Sequence, residues 1–170
     1  LETVKALEAA VKSDTTSYLR LTGSSNNPIV YNKDYEFKIG KSITLKEGKD
    51  ITIFCAGAMV KQCLEAAKIL DQKQIYAKVV NMHTIKPIDK KAVEESCNSK
   101  LIISVEEHNI IGGLGSAIAE YKAKLSKSPK QLFLGVKDIY SKGGSYKFLQ
   151  EKHRLTSEKI VEDIVLELGK

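Results

Sequence analysis

Between residues 42 and 168 the chain switches repeatedly between two hydrophobic periods, and this alternation limits the fold more than any single residue. Ile51–Thr52–Ile53–Phe54–Cys55 is a short apolar run, rich in β-branched and aromatic side chains, that reads as a strand. It closes on the small residues Ala56–Gly57–Ala58. From about Met59 to Leu70 the period becomes helical, with Val60, Cys63, Leu64 and Ala67 on one face and Lys61, Gln62, Glu65 and Lys68 elsewhere. Tyr76–Met82 is a second strand, and Asp89 caps a short helix that turns Val93 and Cys97 inward. Leu101–Val105 is an apolar strand of the kind buried between two helical layers. A helix from Gly112 to Leu125 then stacks Leu114, Ala117, Ile118 and Tyr121 on one stripe. Gln131–Val136 is another strand, and Thr156 caps a last helix through Leu168. Two β-prone pieces, Tyr35–Phe37 and Ser42–Leu45, precede this series. Strands alternating with helices of about 10–15 residues predict an α/β three-layer sandwich, a mostly parallel five-stranded sheet with helices on both faces.

Composition excludes several alternatives. With 42% hydrophobic residues and a net charge of +6 over 170 residues, the chain is too apolar for disorder. No apolar stretch approaches the roughly 18 residues that a membrane span needs, and no charged-then-apolar leader is visible. Cys55, Cys63 and Cys97 lack CxxC spacing, as expected of inert thiols in a reducing, cytoplasmic setting. The positive charge is concentrated late: residues 122–159 hold ten basic side chains against Asp138, Glu151 and Glu158. These lysines are interleaved with Tyr121, Leu125, Leu132, Leu134, Phe148 and Leu149. They read as solvated faces of ordinary elements rather than a nucleic-acid surface.

Right-handed crossovers place the strand C-terminal ends on one edge, where three loops emerge. They are Ala56–Ala58, His83–Pro87 and Glu106–Gly113. The third is the most unusual text in the chain, with Glu106, Glu107 and His108 followed by Gly112, Gly113 and Gly115 at a helix start. Two readings stand. In one, the glycines allow close helix packing while Glu107 or His108 caps orphan backbone donors; in the other, an acidic–imidazole pair faces a partner domain. The third glycine of a dinucleotide fingerprint is absent. His83, His108 and His153 have no metal-ligand spacing, and neither GxSxG nor GxxxxGK[ST] occurs.

The opening of the chain is different in kind. Residues 2–11 carry a helical stripe at Val4, Leu7 and Val11, and Ser17–Leu21 reads as a short strand. Residues 22–28 are a dense cluster of turn formers, the best candidate for an interdomain linker. The sequence begins at Leu1 rather than Met, as expected either of a native chain after processing or of a piece of a longer polypeptide.

The ordered motifs Ile53–Val60, Asn81–Asp89 and Val105–Ser116, with Gly135–Tyr140, Gly143–Gly144 and Leu155–Thr156 after them, resemble the C-terminal domain of transketolase-type enzymes. Split bacterial transketolases are the nearest pattern, with deoxyxylulose-phosphate synthase a close relative. The resemblance implies a division into residues 1–22, the helix–strand tail of a pyrimidine-binding domain; 23–41, a linker; and 42–170, the C-terminal domain. It implies a thiamine-diphosphate- and Mg²⁺-dependent parent that moves a two-carbon ketol unit between sugar phosphates, as in pentose-phosphate chemistry, or joins pyruvate to glyceraldehyde phosphate. The cofactor would lie on the N-terminal diphosphate-binding and pyrimidine-binding domains or subunit, across the interface of a homodimer. This chain alone would be inactive, with no catalytic residue and no partnership with nucleic acid or membrane. Family members often carry a phosphate-contacting arginine just after the tail strand, where Gly23 or Ser24 stands here; Arg20 is the substitute candidate, or else pairs with a carboxylate. Glu106, Glu107, His108, Gly112, Gly113, Gly115 and His83 are the candidates for the interdomain or dimer contact. A stand-alone anion-binding or regulatory α/β module is the competing reading.

Overall fold

A parallel strand exposes two apolar faces, so it is stable only where helices cover both. The computed structural model, which describes residues 1–19, 29–31 and 33–169, meets this with a five-stranded sheet ordered β1-β3-β2-β4-β5. The strands are β1 (Ile43–Lys46), β2 (Ile51–Cys55), β3 (Ala77–Asn81), β4 (Leu101–Asn109) and β5 (Gln131–Val136). β2 runs parallel to both neighbours in unbroken register, Ile51 level with Ala77 and Leu101, Cys55 level with Asn81 and Val105. β1 is the exception, an antiparallel edge on β3.

The helices are α1 (Glu2–Val11), α2 (Met59–Gln72), α3 (Lys90–Ser96), α4 (Leu114–Lys122), α5 (Tyr146–Lys152) and α6 (Ser157–Glu167). Alternation along each strand divides the core between the sheet faces. Ile51, Ile53 and Cys55 with Leu101, Ile103 and Val105 pack under α2 and α6, against Cys63, Ala67, Leu70, Ile160 and Ile164. Phe54 and Ile102 point the other way, against Val93 of α3 and Leu114 and Ile118 of α4. Helix starts are fixed by side chains from the chain itself. Asp89 accepts from the Ala92 N–H at the head of α3 and from the Ser42 N–H and hydroxyl at 2.8 and 3.0 Å, joining α3 to the approach of β1. Thr156 caps α6, and the next amide, Ser157 N–H, donates to Gln62 of α2 at 2.9 Å.

The core elements fall where the sequence pattern puts them; five details differ. Tyr35–Phe37 is not a strand; its rings instead stack on neighbouring segments, Tyr35 on Tyr31 and Phe37 on His83, each with centroids 4.3 Å apart. Ser17–Leu19 has no regular structure, and Arg20 and Leu21 lie outside the described residues. The expected loop at Glu106 begins later, since β4 continues to Asn109 by pairing with β5 across a register shift. α4 ends at Lys122, three residues before Leu125, and α5 was not expected. The sequence signal for α5 is its cap, Ser145, whose hydroxyl accepts from the Phe148 N–H.

Phe54 is fully buried on the α3/α4 face, and Val4 of α1 is 56% exposed. Phe54→Ala is therefore expected to cost about 3–5 kcal/mol in urea unfolding, whereas Val4→Ala should stay within about 0.5 kcal/mol. Equal shifts in the unfolding midpoint would contradict this placement of the core.

Candidate functional site

The connections that follow β2 and β4 leave in opposite directions across the sheet, one towards β3 and the other towards β5. Open α/β sheets form a crevice outside the carboxyl ends of such a strand pair. Here the crevice is bordered by Ala56–Ala58 and by the turn from Ile110 to Gly113. Gly57 and Gly112 hold positive φ of 56° and 80°, conformations that side chains with a Cβ rarely adopt.

Glu106 decides what the glycine-rich helix start can do. It is buried at the end of the apolar run of β4, and its two carboxylate oxygens accept from Leu114 N–H at 2.7 Å and Gly115 N–H at 2.8 Å. These are orphan donors of α4, so the positive end of that helix is satisfied by a carboxylate from the sheet. Gly113 is required by the same contact, and Gly115 by the close approach of α4 to the sheet. A Cβ at Gly113 would overlap the Glu106 carboxylate, and one at Gly115 would press on Phe133 and the Ser104 hydroxyl. The capping group is thus Glu106, not Glu107 or His108 as the sequence reading offered; strand pleat turns Glu106 inward and its successor outward.

Glu107 and His108 are exposed. Burial, and then the Glu107 carboxylate, push the Tyr146 phenol, at the start of α5, up to about 12. His108 Nδ1 lies 3.0 Å from the Asn109 carbonyl, a geometry that needs the proton on Nδ1. Asn109, which the sequence reading passed over, organises the turn: its side-chain oxygen accepts from Ile111 N–H at 2.8 Å and its amide donates to Asp138. Ser116 closes the turn by accepting from Gly112 N–H at 2.8 Å.

His83 belongs to a different cluster. It stacks on Phe37, its Nδ1 is 3.0 Å from the Thr84 hydroxyl, and its Nε2 is buried without a partner among the described residues. Burial lowers its pKa, with the Glu2 and Asp89 carboxylates pulling the other way. Between the segment that follows His83 and α4 lies a groove of about 390 Å³, bordered by Ile85, Lys86, Lys90, Gly112 and Lys124. Arg20 lies outside the described residues.

The chemistry available is limited. Cys55 and Cys63 are buried, and burial pushes the Cys63 thiol well above its ordinary value. Among the described residues no three His, Cys, Asp or Glu side chains are placed to hold a metal ion. The helix start that would suit a phosphate is filled by Glu106. The described residues therefore do not fit a magnesium–diphosphate group. No helix among them is long and apolar enough to cross a membrane.

The sheet and its connections are shared with one enzyme family. Residues 40–160 match the family of the transketolase C-terminal domain. The chain is 38% identical over 144 residues to a Methanocaldococcus jannaschii protein described as a transketolase C-terminal section, covering 84% of this chain and 45% of that protein. It is 40% identical over 127 residues to a 6-deoxy-6-sulfo-D-fructose transketolase subunit of Clostridium sp., covering 74% and 39%. It is also 38% identical over 135 residues to 1-deoxy-D-xylulose-5-phosphate synthase of Dictyoglomus turgidum, covering 79% and 22%. Among solved structures, a split-gene transketolase described as an inactive β4 tetramer matches with a TM-score of 0.72 and 39% identity, covering 79% of this chain and 43% of that one. A Campylobacter jejuni transketolase shares the fold at a TM-score of 0.63 and 21% identity, covering 99% and 24%. The chain belongs to the transketolase C-terminal domain family. It spans less than half the length of each of these relatives.

Two outcomes follow from the site geometry. Glu106→Gln replaces one acceptor with an amide and leaves a buried N–H unpaired. It should cost about 1–3 kcal/mol and speed amide exchange at Leu114 and Gly115. Glu107→Ala and His108→Ala should each stay within about 0.5 kcal/mol; a larger loss for these than for Glu106→Gln would reverse the assignment. His83 binds its proton less readily folded than unfolded, so its contribution is complete above about pH 6.5 and falls away as pH drops below that value. Urea titrations at pH 7.5 and 5.5 should show a stability loss in the wild type that is reduced in His83→Gln.

Proposed function

We propose that the chain is the C-terminal part of a thiamine-diphosphate-dependent transketolase-type enzyme, in which it serves domain packing and subunit contact rather than chemistry. The observation that carries this reading is the division of labour at the carboxyl edge of the sheet. The acid that could act there, Glu106, is committed to α4, and the side chains turned outward are contact-forming: Glu107, His108, Ile111, Ile139 and Tyr140. Neighbouring apolar side chains left exposed at one edge are what an interface with another body needs.

In this reading residues 1–22 are the tail of a pyrimidine-binding domain, 23–41 a linker and 42–170 the C-terminal domain. The parent is a homodimer whose N-terminal diphosphate-binding and pyrimidine-binding domains hold thiamine diphosphate and Mg²⁺. When bound, that cofactor supplies the nucleophilic carbon that the described side chains do not offer. The reaction is transfer of a two-carbon ketol unit between sugar phosphates. The equal identity to the Dictyoglomus turgidum synthase supports a second reading, condensation of pyruvate with glyceraldehyde phosphate.

The test is an activity assay with two donors, a ketose phosphate and pyruvate, on the 170-residue chain alone and on the polypeptide or complex that carries it. Turnover of the ketose phosphate by the assembly, with none by the isolated chain, is the expected result; pyruvate turnover instead selects the second reading. Ile139→Asp with Tyr140→Asp should weaken assembly at least tenfold, about 1.4 kcal/mol, without unfolding the sheet. Tight calorimetric binding of thiamine diphosphate by the 170-residue chain alone would overturn the proposal in favour of a self-contained anion-binding module.

A further inference from the structure

α1 is docked on the rest of the chain the wrong way round for a surface helix. Its apolar stripe faces away, with Val4, Leu7 and Val11 between 50% and 77% exposed, and it buries no residue completely. A surface helix of a globular domain normally does the reverse, turning its apolar face to the core. The polar face makes the attachment. Lys5 pairs with Asp34 at 2.7 Å and lies 5.2 Å from the Tyr35 ring centre. Glu2 reaches the last residue of β3, where the fully buried Asn81 donates its amide to the Glu2 carboxylate and to the Tyr31 hydroxyl. Tyr31 in turn donates to Glu2 at 3.3 Å, closing a three-membered ring of hydrogen bonds. A carboxylate can only accept, so the ring fixes which end of the Asn81 amide faces Glu2.

The ring is the centre of a seam of hydrogen bonds and stacked rings, with no aliphatic core residue of α1 buried in it. Tyr31 and Tyr35 stack on one side, and Phe37 and His83 stack on the other. Three buried polar atoms of this seam, Tyr35 Oη, Asn81 Oδ1 and His83 Nε2, have no partner among the described residues. A seam joined by a few directional bonds, with acceptors and donors left over, holds one orientation while its bonds last and releases without the cost of exposing a core.

We propose that this seam is a polar joint in which Asn81 and Glu2 are positioning residues, setting the angle of α1 relative to the carboxyl edge of the sheet. The joint stands on the geometry alone. Its consequence, that the same bonds orient the unit to which α1 belongs, rests on the reading of residues 1–22 as the tail of a pyrimidine-binding domain. Asn81 lies two residues before His83 and the edge loop. An angle set there is therefore set beside the face on which the proposed interdomain contact forms.

Amide exchange on the 170-residue chain tests the joint, with residues 5–11 reporting α1 and the buried strands β2 and β4 reporting the global fold. In the wild type α1 should be protected relative to an unstructured peptide. Asn81→Ala should speed exchange in α1 at least tenfold while β2 and β4 stay protected. Asn81→Asp sets two carboxylates against each other and should loosen α1 further. Adding Glu2→Gln to Asn81→Asp reverses donor and acceptor and should restore at least most of the protection, a rescue that a role in packing alone would not give. The joint is overturned if α1 is unprotected in the wild type, if Asn81→Ala leaves it unchanged, or if the double variant is no better than Asn81→Asp. Failure of the assembly assay with a successful rescue would instead remove the pyrimidine-domain reading and leave the joint in place.

Discussion

The burial of β2 on both faces and along both edges is the constraint on which the rest of this structure depends. All five of its residues are buried, and both of its edges pair with parallel neighbours. Parallel neighbours cannot be joined by tight turns, so each connection must cross over through a helix. Right-handed crossovers then deliver the carboxyl ends of the four parallel strands, β2 to β5, to the same edge. That edge exists because of β2; the helices α2 and α6 above it and α3 and α4 below are what its two apolar faces require.

The edge is furnished by a second interaction, the Glu106 cap. A helix start with three glycines in four positions presents open backbone donors and a positive dipole end, which together attract an anion. Here the anion is built in. Because the carboxylate arrives from the adjacent strand, it ties the pitch of α4 to the register of β4. It also forbids a side chain at Gly113 and directs Glu107 to the surface. The same residues that would advertise a ligand site in another context make a rigid border here, and the chemistry left at the surface is suited to contact.

How much of this was legible in the sequence follows from how local each signal is. The five strands and the four helices of the sandwich were readable because period and burial coincide in them: Ile51–Cys55 can only be a doubly covered strand, and Asp89 and Thr156 announce their helices by position. The identity of the cap was not readable. Choosing among Glu106, Glu107 and His108 requires the strand phase at residue 106, and the polar text there looks like a loop while pairing with β5 carries the strand on to Asn109. Tyr35–Phe37 misled for the opposite reason. Its β-propensity is real, but the rings are engaged by Tyr31 and His83, and propensity reflects only the side chain's fit to a pleated surface. Asn109 and Asn81 were invisible as site residues, since a lone asparagine carries no spacing and acquires meaning only from what lies across from it.

The basic excess of residues 122–159 has a physical account of the same long-range kind. Lys122 is buried and donates to the Pro129 carbonyl at 2.9 Å, closing the turn that leads into β5. Lys130 pairs with Glu167, and Lys159 with Glu162. Arg154 sits at a positive φ and forks onto Asp163 while reaching Glu162, so that the residue linking α5 to α6 is held by the helix it introduces. Four of the ten basic side chains thus act within the chain, and the acidic partners of three of them lie in α6, at residues 162, 163 and 167. The charge asymmetry seen along the sequence is partly an artefact of cutting it into segments: in space the positive stretch lies against the negative helix that follows it. What looked like a candidate surface for an anionic partner is, to that extent, a set of local ties: Arg154 and Lys159 hold the first turns of α6, and Lys130 joins the start of β5 to the end of that helix.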